Sequence, residues 1–519
     1  MPPHLLQAIQ GMYAGDTYTL VEGPKRTNPV HPTHGVKQGC PLSPLLFSLF
    51  INDFAAHSPV LHTHGIPLRS SSRVVSHLFY ADDLALTSYS EEGLRSMLGA
   101  LHRYAERKGL IVNAAKSEVV VFNTRALPVR RSTSAGVVSL TYGDAVLATK
   151  SEFKYLGFTL HNSLNMTRTQ ALRARGLMAA MSDVGRLGKE LGLARSPWAM
   201  VKLFQTYVVP SGMYGCQVWG TRFAHVSRMF DAEVSKRHLR YLKRLLGLPY
   251  STCNWAILAE VNCRPFHYYW VRSLCRFHSR LLKSNSPLLV DVVKADAALA
   301  AEGSGNCWSA EFGRALESIA CKAGEGELGR SWCDSVFAGT SIPARTVVRT
   351  LEQAYEVEAW GGFEQVADLR EHLRAHQGQP ESGSKRLTYF SWFKLSEPGW
   401  PHYLRGLQRD RVHGMMKQLA RFRLGAHALR VEEGRRQGEL WESRTCQRCP
   451  PAHLQSLSCQ VDDEHHCIFD CAAFEHLRAS IPGVRHLIES AAGSVRSFMA
   501  GDAVVVRNYI AACMESLQA

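Results

Sequence analysis

Two adjacent aspartates, Asp82 and Asp83, stand between apolar runs in HLFYADDLALTS, residues 77–88. Neighbouring carboxylates offer hard oxygen ligands of the kind a divalent cation takes. Leu78 and Tyr80 before them, and Leu84 and Leu86 after them, recur at the period of two that marks strands, so the stretch reads as a β-hairpin with the aspartates at its tip. On a straight strand, successive side chains point to opposite faces, and two carboxylates meet one ion only where the chain turns. Aspartate is also an ordinary turn residue. The tetrad alone therefore leaves a metal site and a solvated turn both open.

A second set of ligand types lies near the other end of the chain. Cys446 and Cys449 form a CxxC, and His466 and Cys471 follow as HxxxxC. Thiolates and imidazole at four positions suit a closed tetrahedral zinc site, and such a site can hold together a small fold that lacks a core. Cys459, His465 and Cys467 are close enough in sequence to exchange with these choices, and reduced structural cysteines are the bland reading. The remaining cysteines are scattered, unlike a secreted disulfide framework, so a reducing compartment is expected, nucleus or cytoplasm.

The third constellation is cationic. The chain of 519 residues has a formal net charge of +15. Residues 165–286 hold 19 Lys and Arg against 5 Asp and Glu, a net +14. Within that segment, AEVSKRHLRYLKRLLGLP (232–249) reads as a helix ended by Gly247 and Pro249. Val234, Leu239, Leu242, Leu245 and Leu246 form its apolar stripe, and Lys236, Arg237, Arg240, Lys243 and Arg244 recur on another face. A solvated face is the usual fate of a charge run, but a surplus concentrated in one segment favours a nucleic-acid backbone. No stretch is long and apolar enough to span a bilayer, so a membrane is not an expected partner.

Around the aspartates, the sequence supplies elements to position them. HGVKQGCPLSPLLFSLFINDF (34–54) reads as a turn at Gly35 and Gly39 leading into an apolar helix with Leu45, Leu46, Leu49 and Phe50 at helical spacing. Glu91 to Lys108 reads as a helix with Leu94, Met97, Leu98, Leu101 and Tyr104 in the core. GLIVNAAKSEVVVF (109–122) reads as a turn carrying Asn113, Lys116 and Ser117 before a buried strand, and SEFKYLGFTL (151–160) as a strand pair broken at Gly157. Tyr268, Tyr269 and Trp270 could stack bases, but such rings are more often core. Polar, Gly- and Pro-bearing stretches at 301–307 and 376–386 read as linkers.

The order GVKQGCPLSPLLF, FYADD, GLIVNAAKSEVV, FKYLGF resembles the second to fifth palm motifs of reverse transcriptases, particularly those of non-LTR (LINE-like) retrotransposons. LFQTYVVPSGMYGCQVWG (203–220) and HLRYLKRLLGLPYST (238–252) are similar to the thumb of that group, and RCPPAHLQSLSCQVDDEHHCIFDC to its C-terminal Cys/His element. The resemblance implies that Asp82 binds magnesium, with Asp83 as its catalytic neighbour and Tyr80 near the primer terminus. It implies that Gln38 and Gly39 lie along the template and incoming nucleotide, and Lys116 near the departing pyrophosphate. Tyr155, Leu156 and Gly157 would form the primer grip. The implied partners are an RNA template, a DNA primer or target, and deoxynucleoside triphosphates, with a zinc knuckle assisting contact to RNA or target DNA.

A two-metal nucleotidyl transfer needs carboxylates from separate segments to converge on one ion pair. In the family, one comes from a palm strand that precedes the GxxQG segment, whereas this sequence opens MPPHLLQAIQGMYAGDTYTL and resembles the stretch just after it. Asp16 and Asp53 are not placed on a strand beside the hairpin. The expectation is an N-terminally truncated reverse transcriptase that is polymerase-deficient, or a non-catalytic nucleic-acid-binding remnant of one. The expected architecture is α+β: a partial palm with an antiparallel sheet (1–164), a basic helical thumb (165–286), a helical connector and linker (287–385), and a C-terminal helical region (386–519) with the knuckle at 446–471.

Overall fold

Glu91–Lys108 is helical over the whole length that its apolar period marks out. Ser90 caps it by accepting from Gly93 N–H, and Gly109 ends it at φ 66°, a left-handed conformation that suits glycine. Glu91 and Glu92 at its start and Arg107 and Lys108 at its end complement the helix dipole. Its buried face carries Met97, Leu98 and Tyr104. The structure, a computed structural model, describes every residue except 1, 70, 123–138, 165, 361–388, 395–398, 406–409, 458–459 and 519. The linker expected at 376–386 and Cys459 therefore lie outside the described residues.

The chain divides into two units, Met1–Val119 with Arg130–Lys150, and Val120–Val129 with Ser151–Ala519. In the first, the Glu91–Lys108 helix packs behind the hairpin His77–Tyr80/Asp83–Leu86. Phe54 is the pivot of that packing, with ring centroids 5.7 Å from both His77 and Phe79 and 5.0 Å from Tyr104, all edge to face. Such pairs add roughly 0.5–1.5 kcal/mol each beyond burial of their area.

Two expectations for this unit are corrected. The strands do not make one antiparallel palm sheet: among the described residues they form two-stranded ladders, and Glu118–Val119 pairs in parallel with Ala148–Thr149. The helix after the GxxQG turn runs Ser43–Ile51, but Leu45, Leu49 and Phe50 of its apolar stripe are exposed. The helix buries Ser43 and Ile51 and half-buries Leu46 and Phe47, so the face turned inward is not the one that carries Leu45 and Leu49, and Phe50 meets Lys108, whose Nζ lies 4.8 Å from its ring centroid.

The second unit is largely helical. The hairpin Glu152–Tyr155/Phe158–His161 leads into the helix Met166–Glu190. The basic helix spans Glu233–Leu245, with Val234, Leu239, Leu242 and Leu246 buried as the stripe requires. Leu242 is fully enclosed, and burying one such side chain stabilises by roughly 1.5–3 kcal/mol. The connector is helical where described, at Pro287–Ala301, Trp308–Lys322, Gly326–Phe337 and Ala344–Trp360. Trp270 is core, and Tyr268 and Tyr269 are half-buried beside it.

A buried polar knot ties the helix Asn254–Glu260 to the C-terminal region. Glu260 takes two hydrogen bonds from Arg423, at 2.7 and 3.2 Å, and one each from the hydroxyls of Tyr389 and Tyr403. Burial alone would push the Glu260 carboxyl up, but these partners, Arg423 foremost, hold it below its ordinary value. Removing one partner of such a pair typically costs about 3–5 kcal/mol, because a charge is left buried without its counter-ion.

Candidate catalytic hairpin and metal-binding knuckle

The acidic hairpin closes with a two-residue turn. Tyr80 pairs with Asp83, leaving Ala81 and Asp82 as the central residues. Ala81 sits at φ 53°, a left-handed conformation that costs a residue with a Cβ roughly 1–2 kcal/mol. Asp82 is thus at the tip, and Asp83 is the first residue of the returning strand. Cross-strand pairing puts Leu78, Tyr80, Asp83 and Ala85 on one face, and His77, Phe79, Leu84 and Leu86 on the face that meets Phe54. Tyr80, Asp82 and Asp83 are exposed, and neither carboxylate has a hydrogen-bond or ion-pair partner among the described residues.

The two other carboxylates of interest are committed elsewhere. Asp16 pairs with Lys37 at 2.7 Å. Asp53 accepts from Tyr104 Oη at 2.6 Å and pairs with Lys108 at 2.8 Å. Lys108 and then Tyr104 pull the Asp53 carboxyl down to about 2. Among the described residues, the grouping of three or more metal-capable side chains is at the knuckle, so no third carboxylate gathers at Asp82 and Asp83.

The Gln38–Gly39 turn is held from below. Lys37 Nζ donates to Met12 O as well as to Asp16, and Ser43 Oγ donates to Lys37 O at 2.6 Å. Gly39 has φ 81° with open space around it, and Gln38 is exposed. This Lys37–Asp16 brace was not legible in the sequence, because both residues read as loop charges. Lys116 is exposed on a short turn whose backbone N–H donates to the Asn113 side chain.

In the second unit, Leu156 and Gly157 both have positive φ, 49° and 72°, which makes Tyr155–Phe158 a two-residue hairpin of the kind that matches strand twist. The turn carbonyls are held: Tyr214 Oη donates to Leu156 O and Arg173 donates to Gly157 O. Arg173 lies over the Tyr214 ring, 5.1 Å from its centroid. Neither bracing residue was singled out by the sequence.

The basic helix departs from expectation at one position. Lys236, Arg240 and Arg244 are exposed, and Arg237 is half-buried and paired with Glu233 at 2.7 Å. Lys243 is buried and donates to Tyr250 O and Asn254 Oδ1, both at 2.8 Å. It stands next to Leu242 on the inner side of the helix, so its ammonium ties down the following loop and is withdrawn from any external phosphate.

At the knuckle, the four expected side chains converge. Cys446, Cys449, His466 and Cys471 are all buried, with their ligand atoms within 4.8 Å of one another. Cys449 Sγ is 3.7 Å from Cys471 Sγ and 3.4 Å from His466 Nε2, and Cys446 Sγ is 3.9 Å from Cys471 Sγ. Zinc–sulfur bonds near 2.3 Å in a tetrahedron place sulfurs about 3.8 Å apart, so the set fits that ion. Two of the alternatives are otherwise engaged: His465 bonds Gly493 O at 3.0 Å and Asp470 at 3.2 Å, and Cys467 faces Cys513. The Cys446 thiol is pushed up to about 12 by its hydrogen bond with Cys471 and by burial, while Cys471 is pulled down by the same bond. Crowded thiols that must share a proton are relieved when a cation takes its place. Ala472 N–H donates to Cys449 Sγ at 3.3 Å, and Arg448, paired with Asp462, sits over the Phe474 ring. Lying between the two cysteines of the CxxC, Arg448 was the one bracing residue that spacing could have flagged.

Residues 2–160, which include this hairpin, match a family model described as reverse transcriptase (RNA-dependent DNA polymerase). The chain therefore carries a reverse transcriptase domain. Its similar proteins are those of non-LTR mobile elements. It is 27% identical over 263 residues to the RNA-directed DNA polymerase from mobile element jockey of Drosophila melanogaster, covering 48% of this chain and 26% of that protein. It is 25% identical over 252 residues to the Pol polyprotein of the type-2 retrotransposable element R2DM of the same fly, covering 48% of this chain and 22% of that one. A type-1 R2 element protein of Popillia japonica is 29% identical over 152 residues, 28% of this chain and 24% of its own length. The chain thus spans about a quarter of the length of the relatives it matches.

Proposed function

We propose that this chain handles RNA and DNA for a retrotransposon-type reverse transcriptase, and that by itself it is deficient in polymerisation. The observation that carries the reading is the pair of exposed, unpartnered aspartates at a left-handed turn inside the reverse transcriptase domain. Asp82, supported by Asp83, would hold magnesium, which supplies charge neutralisation at a transferring phosphate. The deficiency follows because no third carboxylate gathers at the hairpin among the described residues: Asp16 and Asp53 are neutralised in ion pairs, and losing one electrostatic contributor in such a site costs on the order of a hundredfold or more.

In this reading, Gln38, Gly39 and Tyr80 meet template, nucleotide and primer, Lys116 stands near the pyrophosphate of a bound deoxynucleoside triphosphate, and Tyr155–Gly157 grips the primer. Residues 1–164 act as palm, 165–286 as thumb, 287–385 as connector and 386–519 as a C-terminal region with a structural zinc at Cys446, Cys449, His466 and Cys471. Lys236, Arg240 and Arg244, joined by Arg237, face nucleic acid. No described helix is long and apolar enough to cross a membrane, and the working compartment is nucleus or cytoplasm. Primer extension on an RNA template with magnesium tests this reading, comparing the chain with Asp82→Ala. Neither should extend while both bind the primer–template. Extension by the unaltered chain alone would overturn the deficiency.

A further inference from the structure

The basic helix does not end in solvent. Lys236, Arg240 and Arg244 follow one another every four residues, about 6 Å apart along the helix axis, and all three are exposed. Beyond them the chain turns at Gly247, φ 67°, and there it meets the helix Asp410–Arg423. Arg421 Nε donates to Gly247 O at 3.1 Å, and Lys417 Cδ lies 3.1 Å from where a Gly247 Cβ would stand. Cations of the C-terminal region thus take over where those of the basic helix stop.

Behind Arg421 opens a cleft of about 210 Å³, lined among others by Gln418, Arg421, His427 and Arg436. Arg436, on the helix Arg430–Gln437, is exposed and has no ion-pair partner among the described residues. Arg421 spends one N–H on Gly247 and retains the rest of a planar fork suited to phosphate. Gln418 Oε1 is buried without a hydrogen-bond partner. His427, on the cleft wall, is paired with the buried Glu464 at 3.0 Å, and no Asp or Glu is among the described lining residues.

We propose that this cleft is a phosphodiester-binding site, and that it extends the track of the basic helix so that one nucleic-acid strand runs from Lys236 to Arg436. The inference rests on the nucleic-acid reading given above. The cleft admits a phosphate group, and Arg421, which joins its wall to the end of the basic helix at Gly247, favours a strand over a free anion.

The test measures binding of a labelled single-stranded RNA to the full chain over a range of salt. One lost phosphate contact lowers the salt slope by ~0.7 and the affinity about fivefold at ~0.1 M salt. Arg436→Gln should show that loss, Arg436→Lys should restore both slope and affinity, and Arg330→Gln, in a different cleft, should change neither. Excess inorganic phosphate should not displace the RNA at the same ionic strength. Unchanged slope in Arg436→Gln, or displacement by phosphate alone, overturns the site while leaving the nucleic-acid reading intact. RNA binding absent from the unaltered chain overturns both.

Discussion

The hairpin and the knuckle both gather metal-capable side chains, yet they are opposite in construction. The knuckle draws four metal-capable side chains from 26 consecutive positions, buries all of them, and braces them with Arg448, Asp462 and the Ala472 N–H. The hairpin offers two carboxylates, leaves them in water, and is packed from behind by Phe54, which meets Phe79 and Tyr104. A structural ion wants a saturated shell that excludes exchange, whereas a catalytic ion needs open positions for substrate. The difference teaches that the first site can be complete within a short segment, while the second is assembled from distant ones.

The largest effect should come from emptying the knuckle. Structural zinc supplies about 10–16 kcal/mol in isolated finger peptides. Here Ile468, Phe474 and Tyr509 are buried next to the ligands and share the burden. Removing zinc by chelation, or replacing a ligand as in Cys449→Ser, should still lower the Tm of the C-terminal region by ~10 °C or more. Scanning calorimetry with metal analysis checks this, and a chain that is metal-free yet melts unchanged would erase the contrast.

A smaller effect is expected behind the hairpin. The Asp53 carboxyl titrates near 2, below its ordinary 3.8. Its pairing therefore stabilises the fold above about pH 4, and that contribution fades as the pH falls toward 2. Asp53→Asn should cost a few degrees of Tm near neutrality, with the gap from the unaltered chain closing in acid. A gap that stays constant across the titration would mean that shape, and not charge, is what Asp53 provides.

How much of this could be read from the sequence depends on how local each arrangement is. The 91–108 helix and its core stripe were legible because one period and two caps specify them together. The Cys446, Cys449, His466 and Cys471 cluster was legible because its spacing is local, although only the fold separates His466 from His465. Lys243 was misassigned because it lies close to the boundary of the apolar stripe, where a small rotation decides between water and core. The Arg173–Tyr214 brace on the Leu156–Gly157 turn was invisible, since it joins residues 41 positions apart with no shared pattern. The exposed Leu45, Leu49 and Phe50 show the reverse failure: periodicity announces an apolar face but not what covers it.

The smallest effect is the most discriminating for the hairpin. If Asp82 serves as an ordinary turn residue, its carboxylate should help to stabilise the bend, and Asp82→Asn would weaken it. If it is kept for a cation, it contributes nothing to the resting fold and stands beside a like charge. The second case matches an exposed side chain with no partner, next to an alanine held at φ 53°. Backbone strain of that kind tends to persist where function requires it. Asp82→Asn should therefore leave stability within ~0.5 kcal/mol, the usual range for a surface change without structural duty. Added magnesium should raise the Tm of the unaltered chain slightly and that of Asp82→Asn not at all, since only ligand binding to the folded state shifts the equilibrium. A loss of stability above ~1 kcal/mol in Asp82→Asn, with no magnesium response in either chain, would return the aspartate pair to the solvated turns and leave the knuckle as the candidate metal site among the described residues.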